Sequence, residues 1–201
     1  MKFTQVATDA FSKLQLNAGV ILTEFDPSTP TLDKAKIIAA TGGGVTFAAT
    51  PTFLDFGDDI DNVPTNTKEL KRIDYYEAKL SGTAKTVDTA VAKSFIAAAD
   101  VTVASGKVTP RNVLKDADFD DIWWVGDYSD VNEDSGSGQN ANTAGFMAIH
   151  LMDALSTGGF QLKSNDKGKG EFTFEYTAHY SMADIDKVPF EIYIKAGTAS
   201  A

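Results

Sequence analysis

Apolar and polar residues alternate along several stretches of the chain, most clearly in EFTFEYTAHY at residues 171–180. In an extended strand Phe172, Phe174 and Tyr176 lie on one face, and Glu171 and Glu175 lie on the other. The pattern predicts a strand with one buried face and one solvated face. Comparable patterns predict further strands at residues 18–25, 44–50, 71–83, 121–128, 144–151, 158–164 and 190–195, and NDKGKG at 165–170 predicts a hairpin turn.

A helical pattern interrupts the strands at residues 86–100, TVDTAVAKSFIAAAD. The apolar residues of one helical face repeat at Val87, Val91, Phe95 and Ala98, and the alanine content favours a helix. Thr86 is predicted as its N-cap, with Asp88 in the first turn. A short helix is also predicted at residues 4–14 and a helical turn at 110–115.

These elements predict a mainly β fold, an antiparallel β-sandwich or barrel-forming sheet with one flanking α-helix. The length of 201 residues fits one domain over residues 1–201. Two connections, about 51–69 and 129–143, exceed the roughly 12–15 residues at which structureless loops become uncommon. They are predicted to project from the sheet and to contact other proteins.

Composition narrows the classes of function. With 18 basic and 28 acidic residues the net charge is −10, so the chain lacks the basic surface that DNA and RNA readers need. No apolar run approaches the roughly 18 residues that cross a bilayer, and no signal peptide is recognised at the N-terminus. The absence of cysteine excludes thiolate metal sites and fits synthesis in a reducing cytoplasm.

The acidic stretch FLDFGDDIDNVPTNTKEL at residues 53–70 raises the question of a calcium site. A calcium loop needs oxygen ligands at alternate positions, a central glycine and a terminal glutamate. Counted from Asp59, Val63 occupies the fifth position, and counted from Asp55, Gly57 occupies the third. The spacing fails, so no metal site is predicted, although weak cation binding by another arrangement stays open.

Patterns for catalysis also fail. His150 and His179 belong to no metal-binding motif, SGSG at 135–138 lacks the first glycine of a nucleophile elbow, and TGGGV at 41–45 leads into a strand instead of a helix. Trp123 and Trp124 are predicted to point to opposite faces of one strand, one into the core and one to the surface or an interface. The sequence predicts neither an enzyme nor a cofactor site.

The order of several segments is similar to that of one known family. These are TGGGVTFAATPTFLDFGDDIDNVPTNTKELK, a strand ending in LSGT, DADFDDIWWVGDYS, GFMAIHLMDALSTGGFQL, KGKGEFTFEYTAHYS and VPFEIYIKAG. In that order they resemble the major tail protein, or tail tube protein, of long-tailed bacteriophages, especially a branch from phages of gut and related bacteria. The likeness covers nearly the whole chain except the 129–143 loop and the termini.

The resemblance implies a structural virion protein that forms homo-hexameric rings, which stack into the tube through which the genome leaves the capsid. It implies a phage-tail location after assembly in the bacterial host cytoplasm, and contacts with the tape-measure, terminator and baseplate proteins. DNA passes without specific binding. The segment 51–69 corresponds to a loop that is mobile in the free subunit and orders against the neighbouring ring.

Two sets of residues are candidate sites on this basis. The predicted inter-ring assembly loop, whose aspartates contact cationic groups of a neighbouring subunit, comprises Asp55, Asp58, Asp59, Asp61, Asn62 and Pro64. Glu171 and Glu175 are predicted to line the lumen, where carboxylates repel DNA phosphates, although they equally fit a face toward outside solvent.

Three alternatives remain open at this point. One is a carbohydrate- or cell-binding β-sandwich that uses Trp124, Tyr128 and the 129–143 loop as a stacking platform. Another is a secretion-system tube protein, and the weakest is a hydrolase that uses the aspartate-rich loop.

Overall fold

The computed structural model describes residues 13–128 and 145–196. Within these ranges the fold is mainly β, with an antiparallel eight-stranded sheet, a separate two-stranded hairpin and one α-helix. The strands are β1 Gln15–Leu22, β2 Thr41–Asp55, β3 Lys71–Ala84, β4 Ala99–Thr102, β5 Lys107–Pro110, β6 Asp120–Tyr128, β7 Phe146–Ser156, β8 Gln161–Lys163, β9 Glu171–Thr177 and β10 Phe190–Lys195, and α1 is Thr89–Ile96. The predicted fold class is confirmed.

The strand order of the large sheet is β1-β6-β7-β9-β3-β2, with β10 beside β7 and β8 beside β9. Strand β7 belongs to both halves of the sheet: Phe146–Leu151 pair with β10, whereas Leu155 and Ser156 pair with β9. Between these parts Asp153 has a positive φ of 46°. This irregularity accompanies the change of partner and lets the sheet fold over itself as a sandwich.

The main core lies between the two halves of the sheet. Its buried side chains come from both halves and from α1, and include Ile21, Leu80, Phe95, Trp124, Leu151, Phe174 and Tyr176. Phe95 of α1 stacks on Phe174 with ring centroids 5.5 Å apart. Burial of these large side chains supplies the main driving force for the closed body.

The helix is shorter than the sequence pattern predicts. Asp88, not Thr86, is its N-cap, because the Asp88 carboxylate accepts hydrogen bonds from the backbone N–H groups of Ala90 and Val91, both at 2.8 Å. The hydroxyl of Thr86 instead accepts a bond from the Ala40 backbone N–H at 3.0 Å. Helix α1 ends before Ala97, whose φ is 75°.

Other boundaries differ in the same way. Strand β4 begins within the last two residues of the predicted helix, and Pro110 ends β5 instead of starting a helical turn. The predicted strand at 158–164 is reduced to β8, since β7 continues to Ser156. The predicted helix at 4–14 falls outside the described residues except for its last two positions, and the 129–143 loop lies outside them entirely.

Both tryptophans are buried, so the prediction that one of them reaches the surface is wrong. Trp123 and Trp124 do face opposite sides of β6, but each is only 7% exposed. Trp124 joins the main core, and Trp123 packs in a second cluster with Leu22 and Phe146. The connection between β1 and β2 brings further apolar cover to this second face.

Candidate functional site

The hairpin of β2 and β3 extends beyond the rest of the sheet. The two strands pair along their whole length, from Thr41 opposite Ala84 to Asp55 opposite Lys71. Strand β9 covers β3 only over Lys79–Ala84. Residues 51–76, called the arm below, therefore contain two strand segments that pair only with each other, joined by a tip at residues 56–70.

The arm corrects the prediction that 51–69 is a loop throughout. Strand β2 continues through Pro51 to Asp55, a position for proline that is tolerated because β2 is an edge strand and Pro51 has no N–H to pair. Residues 68–70 form a short 3-10 turn directly before β3. The irregular part of the connection is thus limited to about residues 56–67.

The arm exposes large apolar side chains. Phe53 lies opposite Ile73 on one face of the ladder, and Tyr75 lies on the other face opposite Thr52, because the register shifts between Thr52 and Phe53. The exposures of Phe53, Ile73 and Tyr75 are 50%, 50% and 47%, and Phe56 and Ile60 at the tip are also exposed. Large exposed apolar side chains that cluster on one surface are a mark of an interaction site, whereas scattered ones are ordinary.

The tip is held by its own hydrogen bonds. The carboxylate of Asp55 accepts bonds from the backbone N–H groups of Gly57 at 3.0 Å and Asn66 at 2.7 Å. These two bonds hold the pKa of Asp55 below its usual range. The ammonium group of Lys71 donates to the Asn66 side chain at 2.7 Å. The Asp55 carboxylate, at the end of β2, therefore stabilises the backbone conformation of the tip.

The remaining acidic residues of the predicted assembly loop are displayed to solvent. Asp58, Asp59 and Asp61 are exposed, and none of them has an ion-pair or hydrogen-bond partner for its side chain within the described residues. Asn62 takes a left-handed conformation, φ 64°, and the carbonyl of Pro64 accepts a bond from the Thr67 hydroxyl at 2.6 Å. The tip thus displays three carboxylates to solvent, whereas Asp55, Asn62 and Pro64 stabilise its backbone conformation.

A second uncovered apolar strip lies on β10, which pairs only with β7 among the described strands. Ile192 and Ile194 share the face of Phe190 but are 46% and 58% exposed. Phe190 contacts Phe47 and Tyr76 of the opposite half of the sheet, so this strip continues the core surface out to a free edge. An edge strand with exposed isoleucines is suited to pairing with another chain.

The solvated face of β9 carries the two predicted lumen glutamates, and each has a lysine nearby. Lys85 donates to Glu171 at 2.7 Å and holds the pKa of Glu171 below its usual range, with a smaller effect from Lys163. Lys79 lies 4.0 Å from Glu175. Partial pairing reduces the negative field that two free carboxylates would produce.

Around these charges the same face carries short polar side chains. Ser81 and Thr83 of β3 stand opposite Glu175 and Thr173, and Thr177 bonds the Thr157 hydroxyl at 2.7 Å. The surface is therefore polar, with small side chains and mixed charges.

His150 lies between two carboxylates on neighbouring strands. Its Nε2 is 3.1 Å from Asp121 of β6 and its Nδ1 is 3.9 Å from Glu191 of β10, while its ring stacks on Trp123 at 3.9 Å. These contacts tie β6, β7 and β10 together. Within the described residues no serine hydroxyl bonds to either histidine, and no group of three potential metal ligands comes together.

The buried position of Trp124 argues against the stacking platform of the carbohydrate-binding alternative. Its indole N–H donates to the Ala18 carbonyl at 3.0 Å and its ring is in the core, so it cannot stack on a sugar. Tyr128 is half-buried, and the loop that would complete the platform lies outside the described residues.

Sequence reasoning missed the exposed apolar side chains of the arm and the β10 strip. A signal for the arm was present, because Phe53, Leu54, Phe56 and Ile60 fall in a stretch predicted as a solvated connection. Four large apolar residues in such a stretch need cover from somewhere. No comparable signal marked Ile192 and Ile194, whose alternation is that of an ordinary half-buried strand.

Comparison with known proteins adds no assignment. The chain matches no protein-family model, and a search of curated proteins finds no significant similarity. No helix in residues 13–128 and 145–196 is long and apolar enough to cross a membrane. A functional assignment therefore depends on the surfaces of the arm, of β10 and of β9.

Proposed function

We propose that this chain is a structural subunit that assembles with copies of itself into hexameric rings, and that the rings stack into the tail tube of a long-tailed bacteriophage. The observation that carries the proposal is the arm, which exposes the paired side chains of Phe53 and Ile73 on one face and Tyr75 on the other, in a ribbon that pairs with no further strand of the described chain. A two-stranded ribbon is only marginally stable alone in water, so its length is best explained by a partner surface.

Assembly into a tube requires two different self-contacts, one within each ring and one between rings. Among the uncovered apolar surfaces of the described residues, the arm and the Ile192–Ile194 strip of β10 are separate from each other. In the proposed tube the β10 edge contributes to contacts between neighbours in a ring, and the arm reaches to the next ring. Strand edges that would favour aggregation in a monomeric protein then serve as assembly contacts.

The role as a genome conduit is supported by the polar face of β9 and the net charge of −10. In the proposed tube this face lines the lumen, and Glu171 and Glu175 contribute negative charge that their lysine neighbours reduce. DNA then passes without binding, because few cations are free to displace its counterions. The same role implies contacts with tape-measure, terminator and baseplate proteins at the tube ends.

The test is electron microscopy of the purified protein across a range of concentration and salt, with wild type compared to a deletion of residues 56–66. The deletion leaves Thr67–Leu70 to join Asp55 and Lys71, a four-residue connection that hairpins accept. Wild type is expected to form rings and tubes with a central hole. The deletion is expected to give folded monomers or rings that do not stack.

A matched control replaces two exposed apolar residues outside both surfaces, Val103→Thr with Met182→Ser, which are 81% and 88% exposed. This control is expected to polymerise as wild type does. A wild-type protein that stays monomeric under every condition and does not enter phage tails contradicts the proposal. A deletion variant that polymerises normally reduces the tip to a simple connector.

A tube protein of a secretion system is the second candidate, and the same arm and β10 edge support it. Both functions need stacked rings, so microscopy of the purified protein does not separate them. Neighbouring genes do: genes for a tape-measure protein and a tail terminator favour the phage, whereas genes for secretion components favour the second candidate.

A further inference from the structure

The end of the sheet opposite the arm tip carries an exposed hairpin that is rich in lysine. It consists of β8, the turn at 164–170 and the start of β9, and is called the lysine hairpin below (residues 160–171). Lys163, Lys167 and Lys169 are exposed in it, as are Phe160 and Leu162. That this hairpin receives the arm tip of another copy rests on the proposed function, because only a chain that assembles with its own copies needs such a surface.

Strand registers place the two features at opposite ends. Asp55 pairs with Lys71 at the start of β3, and Ala84 at the end of β3 pairs with Phe172 next to the lysine hairpin. Thirteen steps along β3 at about 3.3 Å per residue separate these ends by roughly 40 Å. The arm tip therefore cannot contact the lysine hairpin of its own chain, and a contact between them requires a second copy.

The two surfaces are complementary in charge. The tip region, residues 55–70, carries five carboxylates against one lysine, whereas the lysine hairpin carries three lysines against Asp166 and Glu171. Glu171 is already paired with Lys85 at 2.7 Å. Lys167 and Lys169 form no ion pair within the described residues, and Lys163 lies 3.9 Å from Glu171 with a side chain that is 74% exposed.

The surfaces are also complementary in their apolar parts. Phe160 and Leu162 lie on the side of β8 that faces away from Lys163, and they are 40% and 58% exposed. Phe160 contacts Phe172 with ring centroids 5.8 Å apart, so its position is supported by β9. At the arm tip Phe56 and Ile60 are exposed next to the free aspartates. Each surface thus combines an apolar patch with a charge opposite to that of the other.

We propose that the arm tip of one copy docks on the lysine hairpin of the next copy along the tube axis, with Asp58, Asp59 and Asp61 facing Lys167 and Lys169, and Phe56 and Ile60 against Phe160 and Leu162. This contact joins two different surfaces of the same chain. A heterologous contact of this kind repeats without closing on itself when the symmetry operation that relates neighbouring copies includes a translation. It therefore produces an open stack.

Charge reversal on each side tests the pairing. One variant carries Lys167→Glu and Lys169→Glu, and the other carries Asp58→Lys, Asp59→Lys and Asp61→Lys; none of the five side chains has an ion-pair partner within the described residues. Each variant alone is expected to raise the concentration needed for tubes by at least about tenfold, because like charges then face each other. An equimolar mixture is expected to form tubes again, since each variant presents to the other an oppositely charged surface.

The matched control for the lysine variant is Lys34→Glu with Lys107→Glu, which changes the net charge by the same amount at two exposed lysines outside the lysine hairpin. It is expected to assemble as wild type does. Near-ultraviolet circular dichroism and the urea midpoint check that every variant is folded.

The outcomes separate the two proposals. If the aspartate variant fails to stack while the lysine variant stacks normally, the tube function stands and the docking surface lies elsewhere, which overturns this inference. If both variants fail alone and the mixture also fails, the proposed pairing is wrong. If wild type forms no rings or tubes, the proposed function falls and the inference falls with it.

Discussion

The two halves of β3 both carry apolar residues but differ in what covers them. In the C-terminal half Ala78, Leu80 and Ala84 are fully buried, whereas Ile73 and Tyr75 in the N-terminal half are about half exposed. The buried half has β9 beside it and the core above it, and the exposed half has only β2. The comparison shows that a large apolar residue in a strand indicates a need for cover without indicating whether that cover comes from the same chain.

The largest expected effect is a difference in the free energy of unfolding between Phe95→Ala in the body and Ile73→Thr in the arm. Phe95 is fully buried against Phe174 and Tyr176, so truncation should lower the free energy of unfolding by about 3–5 kcal/mol. Ile73→Thr keeps a β-branched residue on an exposed face, and its effect on the monomer should stay within about 1 kcal/mol. Urea unfolding of unassembled protein measures both values.

The same pair separates folding from assembly. In the proposed tube Ile73→Thr raises the concentration needed for stacking, although the monomer is as stable as wild type. A loss of monomer stability for Ile73→Thr as large as that for Phe95→Ala would show that the arm belongs to the core in solution. That result would remove the distinction between the two halves of β3.

A smaller effect is expected from Asp118, a carboxylate of the body that contrasts with Asp55 of the arm. Burial alone would raise the pKa of Asp118, but the Lys115 backbone N–H at 2.8 Å and the Arg111 guanidinium at 2.6 Å outweigh burial and hold the pKa below its ordinary value of 3.8. Asp118→Ala should lower stability at neutral pH by about 2 kcal/mol, because Arg111 loses its most buried partner.

The pH dependence follows from the direction of that shift. A carboxyl group whose pKa is lowered by folding contributes stability above its unfolded value, and this contribution is lost as the pH falls through the folded value. Wild type should therefore lose more stability than Asp118→Ala between about pH 5 and pH 2. Urea titrations at several pH values measure the difference. The same dependence of unfolding free energy on pH in the two proteins would contradict the assigned role.

Asp55→Ala, in contrast to Asp118→Ala, should leave the urea midpoint nearly unchanged and speed hydrogen exchange at Gly57 and Asn66.

The smallest effect on the subunit itself is expected from reversing Glu171 and Glu175 to lysine. Both side chains are partly exposed, at 32% and 41%, so the fold and tube assembly should persist. DNA ejection from phage that carry the variant should slow, because the lumen then holds lysines that bind phosphate. A control reversal, Asp184→Lys with Asp186→Lys, changes the charge at exposed positions outside β9. Normal ejection kinetics for the glutamate variant would show that this face does not line the lumen.

The body of the fold was largely predictable because its signals are local. Alternation in β9 and the spacing of Val91 and Phe95 in α1 each report one buried side, and the structure confirms both. Alternation in β10 correctly predicts the strand, but Ile192 and Ile194 on its apolar side are exposed. Helix boundaries were less predictable, because Thr86 and Asp88 both have the chemistry of an N-cap. The choice depends on Ala40, a residue distant in sequence that engages the Thr86 hydroxyl.

Features that depend on partners in space could not be predicted in the same way. Trp123 and Trp124 were correctly assigned to opposite faces, but the cover over Trp123 comes from the connection after β1, which no local pattern indicates. The lysine partners of Glu171 and Glu175 come from β3 and the residue directly after it. The strand predicted at 44–50 stops before Pro51, whereas an edge position permits β2 to continue through it.

The continuity of β2 and β3 from the body into the arm has a mechanical consequence. Both strands run from the body of the sheet to the tip, and only the register shifts interrupt the pairing between them. In the proposed stack, a pull on the tip acts on β2 and β3 together, so the ladder between β3 and β9 bears it in shear and its bonds resist together, because backbone hydrogen bonds lie perpendicular to antiparallel strands. Bending strains the bonds unequally, so a tube built on such arms is stiffer against stretching than against curvature.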